Sequence, residues 1–429
     1  MNLSHPPREL LIGGWHAAIA AVQAEALLPP YLAALRTDRL LVVGAGKAAA
    51  AMAACVEAQL PHTELAGLVI TRHGHGLPTR HIEVVEAGHP LPDAAGQAAA
   101  LRLLGRLRQC APDDQVLALI SGGGSSLLSL PVDGVSLAEL QSLSRALLAS
   151  GAPIAEINTL RKHLSQTLGG QLAAACPAQV TALLVSDVAG DDPAVIASGP
   201  FAADPTSYSD ALAILAQRAI STPASVQQHL LAGAAGDIAE TPKPGAACFR
   251  RVEQHVIANG RTALLAAARY FELRGVRAVI LGDTYTGEAR EVAQVFAALA
   301  SEVSRYGNPW PTPVVLLSGG ETSVTLTALS GEGRGGRNSE FLLALALALN
   351  GLPGVHALAA DSDGIDGSED NAGAIIAPDS LARAAALGLD AARHLRHHDA
   401  WGCFAGLDDL LLTGPTRTNV NDFRAILIV

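Results

Sequence analysis

Short apolar runs alternate with longer alanine- and leucine-rich stretches along most of the chain. Ten of the short runs have the length and the β-type residues of buried strands. They cover residues 40–43, 67–71, 82–86, 115–120, 180–185, 253–258, 278–281, 314–317, 355–360 and 423–429. Helix-length stretches lie between most of them, for example residues 48–59 and 262–272. Strands that alternate with helices predict largely parallel sheets that are flanked by helices.

The length of the chain predicts two domains rather than one. Its 429 residues exceed the size of most single domains, which rarely pass about 250–300 residues. Residues 232–251 are rich in Gly, Ala, Pro and charge and have no apolar period, so we expect a boundary there. The sequence therefore predicts an α/β protein with one domain at residues 1–235 and a second at residues 250–429.

Composition excludes several classes of protein. Hydrophobic residues make up 49% of the chain and charged residues 16%, which is the reverse of a disordered composition. A net charge of −11 and only 3% aromatic residues argue against nucleic-acid binding. The longest apolar run, residues 341–349, is far shorter than the ~20 residues of a membrane span. We expect a cytoplasmic monomer or homodimer that binds small molecules, and neither nucleic acid nor membranes.

Two glycine-rich loops follow predicted strands in the N-terminal half, and both suit phosphate binding. In the first, Gly44, Gly46 and Lys47 stand between a strand and a helix, where N–H groups and the positive helix end favour anions. This loop fits a relaxed GxGxxA dinucleotide fingerprint, which predicts a Rossmann-like N-terminal domain, although Ala48 stands where a Walker A loop needs Ser or Thr. In the second loop, successive N–H groups predict an anion-binding nest. Its residues are Ser121, Gly122, Gly123, Gly124, Ser125 and Ser126.

A third glycine-rich segment, residues 331–340, contains two arginines. Arg337 lies just before a predicted helix at residues 339–349, and its planar guanidinium suits bidentate phosphate binding. We expect Arg334 to be a solvated surface charge. Acidic loops follow one strand in each half of the chain, and Mg²⁺ in phosphoryl transfer is usually held by one or two carboxylates. The candidate metal ligands are Asp187, Asp191, Asp361 and Asp363.

Each half of the chain thus offers one glycine loop and one acidic loop after buried strands. In open parallel sheets, ligands lie at the carboxyl ends of the strands. If the two halves face each other, these loops would form an anion and metal site between them. We therefore expect the active site in a cleft between the domains.

Nine segments of the chain, taken in order, resemble the glycerate 2-kinase family, whose C-terminal part is called the MOFRL domain. They are VGAGKAAAAMA, EAGHPLPD, LISGGGSSLL, NTLRKHLSQTLGGQLA, LLVSDVAGDDPAVIASGPFAADPT, LSGGETSVT, GRGGRNSEF, AADSDGIDGSEDNAGA and TGPTRTNVND. The resemblance implies ATP- and Mg²⁺-dependent phosphorylation of D-glycerate at its 2-hydroxyl, which gives 2-phosphoglycerate and ADP. It also implies that Lys47 and Arg337 form the catalytic pair.

Our working hypothesis assigns a role to each candidate residue. The ATP phosphates lie on the second loop, with nucleotide contacts from Asp187, Asn259 and Glu321. Arg161 meets the carboxylate of glycerate, and His89 is a second candidate for substrate binding. Positive groups near the transferring phosphoryl group act mainly by positioning and charge stabilisation.

Two other functions stay open. Members of this family have often carried the label hydroxypyruvate reductase, and the GxGxxA loop suits an NAD(P)H-dependent enzyme. The ribose-binding acid expected about 20 residues later is missing, although Arg72 could meet the extra phosphate of NADP. The acidic loops and Arg337 have no evident role in hydride transfer. A nucleotide-sensing module, the third reading, would bind ATP without turnover.

Overall fold

The computed structural model describes residues 5–326 and 333–429 of the chain. The chain divides into two compact units. The first domain is Leu27–Ile257, and the second domain joins Met1–Ala26 to Ala258–Val429. The sequence predicts domains at residues 1–235 and 250–429, and the structure differs at both ends of the first one. The N-terminal helical segment belongs to the second domain, and residues 232–251 lie within the first.

The first domain contains a six-stranded sheet with helices around it. The chain reaches it through α1 (Pro7–Ala21) of the second domain and α2 (Ala24–Leu27) at the boundary. Its strands are β1 (Arg39–Ala45), β2 (Glu64–Arg72), β3 (Ile82–Ala87), β4 (Gln115–Ser121), β5 (Gln179–Val185) and β6 (Val252–Ala258). Its helices are α3 (Pro29–Ala34), α4 (Ala49–Gln59), α5 (Ala94–Arg108), α6 (Gly124–Leu127), α7 (Leu137–Ala149), α8 (Ile154–His163), α9 (Gln171–Ala175), α10 (Tyr208–Gln217) and α11 (Ala224–Ala235), with 3₁₀ turns at Ile196–Ser198 and Ala247–Arg251.

The strand order of this sheet places a ligand crevice between β1 and β4. The order is β3-β2-β1-β4-β5-β6, and the pairs from β3 to β5 are all parallel. The chain moves outward on one side of β1 and then returns to build the other side. Ligands of doubly wound sheets bind at such a switch point, outside the carboxyl ends of the strands. The Rossmann-like prediction for this part of the chain is confirmed.

The second domain holds another six-stranded sheet. Its strands are β7 (Arg277–Tyr285), β8 (Val314–Gly320), β9 (Val355–Asp361), β10 (Gly373–Ile376), β11 (Leu410–Leu411) and β12 (Asp422–Ile428). Besides α1, its helices are α12 (Gly260–Glu272), α13 (Ala289–Tyr306), α14 (Arg337–Leu349), α15 (Ser380–Ala386), α16 (Ala391–Arg396) and α17 (Ala400–Leu407). Phe296 of α13 and Phe341 of α14 pack edge to face in its core, 5.6 Å apart between ring centroids.

The direction of β12 departs from simple parallel pairing. The order is β11-β10-β9-β12-β8-β7, with β7 and β8 parallel. Strand β12 is antiparallel to both β8 and β9, and β10 is antiparallel to β9 and β11. Four strands therefore point one way and two the other, so the predicted two-domain α/β class is confirmed with a mixed second sheet. An apolar run predicts a buried strand but not whether that strand is parallel or antiparallel to its neighbours. The sequence therefore does not reveal the direction of β12.

The N-terminal helix α1 joins the second domain through close contact with α12. An added Cβ at Gly14 would lie 2.4 Å from Cε2 of Phe271, whose side chain is fully buried. Arg8, at the start of α1, donates a hydrogen bond to Asp409 of the same domain at 2.7 Å. Within the described residues, no helix combines the length and apolar character that a membrane crossing requires.

The contact at Gly14 predicts that Gly14→Ala destabilises the protein. Alanine is normally the better helix residue by about 0.5–1 kcal/mol. Here its methyl group would overlap the buried Phe271 ring, and such overpacking costs about 1–3 kcal/mol. We expect a lower free energy of unfolding in urea, followed by circular dichroism.

Gly105→Ala is the control for this prediction. Gly105 lies in the helix α5, and an added Cβ there meets no atom within 4 Å. This substitution should raise the free energy of unfolding by about 0.5–1 kcal/mol. Stabilisation by both substitutions would refute the tight packing of α1.

Candidate active site

The two glycine loops of the first domain bind each other through their backbones. The N–H of Lys47 donates to the carbonyl of Gly122 at 2.9 Å, and the N–H of Ala48 donates to Oγ of Ser121 at 3.0 Å. Gly46 permits this approach, because a Cβ there would lie 2.1 Å from the same Ser121 oxygen and its φ is +136°. The amides that the GxGxxA pattern assigns to phosphate binding are thus engaged by the loop after β4.

Gly44 has a packing role in this arrangement. A Cβ at Gly44 would lie 2.3 Å from the carbonyl oxygen of Leu119, so glycine allows β1 to lie close against β4. The glycines of the first loop therefore bring the two central strands and their loops together. Direct contact of Gly44 and Gly46 with a nucleotide stays a prediction.

The second glycine loop leads into a short helix, whose first amides begin at Gly123. Gly123 has a φ of +83° and begins the short helix α6. Among the described residues, no acceptor outside that helix takes the N–H of Gly123, Gly124 or Ser125. Successive N–H groups in such a turn form a nest for an anion. Binding of phosphate by this loop stays a prediction.

Lys47 and His89 lie beside this nest. The position of a Cβ on Gly123 is 2.9 Å from Cδ2 of His89 and 3.6 Å from Cγ of Lys47. The fully buried His75 contacts the backbone of Lys47: its Nδ1 lies 3.4 Å from the Lys47 carbonyl oxygen. The structure thus brings together two residues that the sequence places 42 positions apart.

Arg161 projects from α8 into a small cavity next to the same loop. The cavity is lined by Pro90, Pro92, Ser126, Ser129, Leu140, Ser144, Arg161, Ser165 and Leu168. Burial lowers the pKa of Arg161, and within the described part of the chain no carboxylate forms an ion pair with it. Its hydrogen-bond partner is the amide oxygen of Asn158, at 3.4 Å. A partly buried cation without a counter-ion among the described residues favours an anionic ligand.

Asp187 and Asp191 follow β5, the strand next to β4. In the parallel register Val185 pairs with Ser121, the first residue of the phosphate loop. Asp187 follows two residues after Val185. Both aspartates are partly buried, and Asp191 has a left-handed backbone with φ +55°. These carboxylates therefore stand at the edge of the sheet that carries the two glycine loops.

In the second domain, Arg337 is held by three carboxylates. It is the first residue of α14, and its Nη2 and Nε donate to Asp361 and Asp422, each at 2.7 Å. Its Nη1 lies 3.4 Å from Glu321. Burial opposes the charge of Arg337, but Asp422, Asp361 and Glu321 outweigh it and raise its pKa well above the usual value.

Asp422 also binds Arg424, a fully buried arginine that the sequence analysis did not single out. Nη2 of Arg424 donates to Asp422 at 2.5 Å, and Nη1 donates to the carbonyl of Gly319 at 2.9 Å. Burial lowers the pKa of Arg424, and Asp422 opposes that shift. The sequence did contain a signal for this pair. Arg424 is a charged residue inside the apolar run 423–429, and Asp422 is the last residue of the family-like segment TGPTRTNVND.

The aspartates after β9 mainly organise their own backbone. Oδ1 of Asp361 accepts the N–H of Asp363 at 3.0 Å, and Oδ1 of Asp363 accepts the N–H of Ile365 at 2.9 Å. Asp366 accepts the N–H groups of Asn338 and Ser339 and so caps α14. The two predicted metal ligands of this loop thus both accept protein hydrogen bonds.

Asn259 and Glu321 are brought to one edge of the second domain. Oδ1 of Asn259 caps α12 by accepting the N–H of Thr262 at 3.0 Å. Cβ positions built on Gly260 and Gly319 lie 3.2 and 3.3 Å from Cβ of the same Asp283. The loop after β8, with the half-exposed Glu321, is therefore close to Asn259.

Arg334 is not the freely solvated charge that the sequence suggested. Its guanidinium carbon lies 3.6 Å from the ring centroid of Trp401, and Nη2 donates to Glu369 at 2.6 Å. The first two residues of segment 331–340 lie outside the described residues.

Comparison with known proteins decides the family. Residues 11–231 match a "Domain of unknown function (DUF4147)", and residues 314–422 match the "MOFRL family". A "D-glycerate 2-kinase" from Thermotoga maritima is 41% identical over 414 residues, which cover 96% of each chain. The chain belongs to the glycerate 2-kinase family.

Two further relatives fit this glycerate 2-kinase family membership. A crystal structure of a glycerate kinase from Thermotoga maritima is 40% identical and covers 98% of this chain and 99% of its own, with a TM-score of 0.87. An Agrobacterium vitis protein named "Putative hydroxypyruvate reductase" is 48% identical over 98% of this chain and 94% of its own. The predicted family and the predicted two-domain fold are confirmed.

The carboxylates around Arg337 predict that Arg337→Ala lowers stability as well as turnover. The substitution removes the guanidinium that pairs with both Asp361 and Asp422, whose side chains are almost fully buried. Removing one member of a buried ion pair costs about 3–5 kcal/mol. Urea denaturation should show a decrease of that size in the free energy of unfolding.

Arg334→Ala is the matched control, since Arg334 lies on the same segment and its side chain is half exposed. Its ion pair and its ring contact should together contribute about 1 kcal/mol or less. Equal losses for the two substitutions would contradict the special burial of the Arg337 pairs.

Proposed function

We propose that this protein transfers the γ-phosphoryl group of ATP to the 2-hydroxyl of D-glycerate, giving 2-phosphoglycerate and ADP. One observation carries the proposal: the nest of Gly123, Gly124 and Ser125 lies beside Lys47 and next to the partly buried cation Arg161. A nest suits a polyphosphate, and a guanidinium suits a carboxylate. The names of the glycerate kinase relatives support the same reaction.

Lys47 and Arg337 are the groups that we assign to charge stabilisation. Phosphoryl transfer depends mainly on positioning and on neutralising charge at the transferring group. Lys47 flanks the nest of the first domain. Arg337 has five N–H donors, and its contacts to Asp361, Asp422 and Glu321 engage one on each nitrogen. Among the described residues nothing accepts the other two N–H groups, which we assign to phosphate oxygens.

Arg161 is our candidate for the carboxylate of D-glycerate. It has no ionic partner among the described residues, and its cavity is lined by the hydroxyl-bearing Ser126, Ser129, Ser144 and Ser165. These groups match an acid that also carries hydroxyls. His89, beside the nest, stays a candidate for the same substrate.

Mg²⁺ is the metal that we propose for ATP, and the two acidic loops fit it unequally. Asp361 already accepts hydrogen bonds on both oxygens, from Arg337 and Asp363. Asp187 and Asp191 follow β5 at the edge of the sheet that carries the phosphate loop, and we assign the ion to them on that position. Across the described ranges no cluster of three or more His, Cys, Asp or Glu could bind a metal. Mg²⁺ usually needs only one or two carboxylates with phosphates and water, and it would neutralise phosphate charge.

Reduction of hydroxypyruvate is the second candidate, because a relative with 48% identity carries that name. A dinucleotide site of the Rossmann type holds pyrophosphate on the amides at the start of the first helix. Here the amides of Lys47 and Ala48 already donate to the loop after β4. Strand β2 ends at Thr71 and Arg72, where an acid would bind the ribose. This geometry favours the kinase.

The deciding assay supplies ATP, Mg²⁺ and D-glycerate and couples the product directly to enolase. Enolase accepts the 2-phosphate and not the 3-phosphate, so its signal reports the position of transfer. We expect ADP and an enolase signal that both require D-glycerate. NADPH with hydroxypyruvate, run in parallel, should show no oxidation of the cofactor. Cofactor oxidation without any ADP would overturn the proposal.

Substitution of Arg161 tests the assigned carboxylate contact. We expect Arg161→Met to raise the KM for D-glycerate by about 10- to 100-fold, because a hydrogen-bonded charge contact is worth about 1.5–3 kcal/mol. The KM for ATP should change by no more than about twofold. Arg145→Met, at an exposed position of α7, is the control and should match the wild type. An unchanged KM for D-glycerate in Arg161→Met would remove this residue from the substrate site.

A further inference from the structure

Four polar side chains of the first domain form a chain of hydrogen bonds from the phosphate loop to Arg161. Oγ of Ser125 lies 2.8 Å from Oγ of Ser198, and Ser198 donates to Oδ1 of Asn158 at 3.0 Å. The same Oδ1 accepts from Nη1 of Arg161 at 3.4 Å. Ser198 and Asn158 are buried, whereas Ser125 and Arg161 are only partly buried, and Arg161 lines the small cavity. Neither Asn158 nor Ser198 has a role in the function proposed so far.

The donor direction along this chain is fixed by the arginine. A guanidinium has donors only, so the Asn158 atom that faces it must be the amide oxygen. Ser198 therefore gives its single proton to Asn158. Its contact with Ser125 can then be made only if Ser125 is the donor. The Ser125 proton points into the protein, and the lone pairs of its oxygen remain for a ligand.

The backbone at Ser198 is held in an unfavourable conformation. Ala197 and Ser198 have φ values of +50° and +57°, and Ser198 is fully buried. Residues other than glycine reach the left-handed region at a cost, and such strain is concentrated at functional sites. Its carbonyl accepts the N–H of Gly169 at 2.9 Å, which fixes the turn in place. The strained turn delivers the hydroxyl to Ser125.

We propose that Asn158 and Ser198 are positioning residues that make Ser125 a hydrogen-bond acceptor for a substrate hydroxyl and hold Arg161 for the substrate carboxylate. Phosphate oxygens at neutral pH accept hydrogen bonds, so a Ser125 oriented in this way does not bind ATP through its hydroxyl. Its oxygen selects an alcohol, and Arg161 selects an acid. The site is thereby built for a hydroxy acid. The inference rests on the proposed kinase function and refines its acceptor side.

The chain orients groups and does not relay protons. It ends at the amide oxygen of Asn158, which does not take up a proton near neutral pH. Ser125 therefore cannot act as a general base through Ser198. Loss of the chain should weaken binding of the hydroxy acid without removing the charge stabilisation that Lys47 and Arg337 supply.

The test uses the full-length protein and two variants that separate the two ends of the chain. Ser198→Gly removes the hydroxyl and relieves the left-handed backbone, while the contact between Asn158 and Arg161 stays intact. Asn158→Leu removes the shared acceptor. For each protein we measure the KM for D-glycerate, the KM for ATP, the inhibition constant of propionate and the Tm. Propionate carries the carboxylate without a hydroxyl, so it reports on Arg161 alone.

Ser198→Gly should raise the KM for D-glycerate about tenfold, which is the effect of one oriented hydrogen bond. Propionate inhibition and the KM for ATP should stay within about twofold, and the Tm should equal or exceed that of the wild type. Asn158→Leu should weaken D-glycerate and propionate together. The double variant should be no worse than Asn158→Leu, because both residues act through one chain.

Three results would overturn the inference. They are an unchanged KM for D-glycerate in Ser198→Gly, a selective rise in the KM for ATP, and equal effects on D-glycerate and propionate. If Ser198→Gly fails to fold, Ser125→Ala removes the same acceptor at a half-buried position and should reproduce the pattern expected for Ser198→Gly.

Failure of the kinase function itself would be visible in the wild type as no transfer to D-glycerate. Calorimetric titration with D-glycerate and with propionate then replaces the kinetics. Tighter binding of D-glycerate that is lost in Ser198→Gly supports the positioning role without the kinase. Equal binding of the two acids, or no binding, overturns the positioning role as well.

Discussion

The hydrogen bonds that join the two glycine loops of the first domain determine what its sheet edge can bind. By accepting the amides of Lys47 and Ala48, Gly122 and Ser121 close the anion site that a Rossmann helix normally offers. The same contacts shift the open amides to the turn that begins at Gly123. In place of a dinucleotide site, we propose an anion-binding nest between Lys47 and the partly buried Arg161. The chemistry follows from this exchange and not from the strand order.

The fold of the first domain could be predicted from the sequence because its signals are local. Continuous apolar strands, helix-length spacers and glycine turns specify a doubly wound sheet one element at a time. The partners of the loop amides could not be predicted in this way. The bond from Ala48 to Ser121 joins residues 73 positions apart, and it depends on how two turns pack. A fingerprint marks residues that permit close backbone approach, and it does not say which group approaches.

The second domain shows the opposite balance of local and distant information. Residues 423–429 are easily identified as a strand, yet their direction decides the site. Because β12 runs antiparallel to β9, its first residue, Asp422, pairs with the last residue of β9, Asp361. Both carboxylates then reach Arg337. Each charged residue around Arg337 and Arg424 could be seen in the sequence. That they lie together could be learned only from the pairing of the strands in the sheet.

The second domain is discontinuous in the chain, and this affects how it forms during synthesis. Its α1 segment leaves the ribosome first, but the helix on which it packs, α12, follows only after the whole of Leu27–Ile257. Its sheet also lacks a central strand until residues 422–428 have emerged. The first domain is a continuous segment and can fold earlier, as a unit. Until α12 has emerged, the apolar face of α1, including Trp15, lacks the helix that covers it in the folded protein.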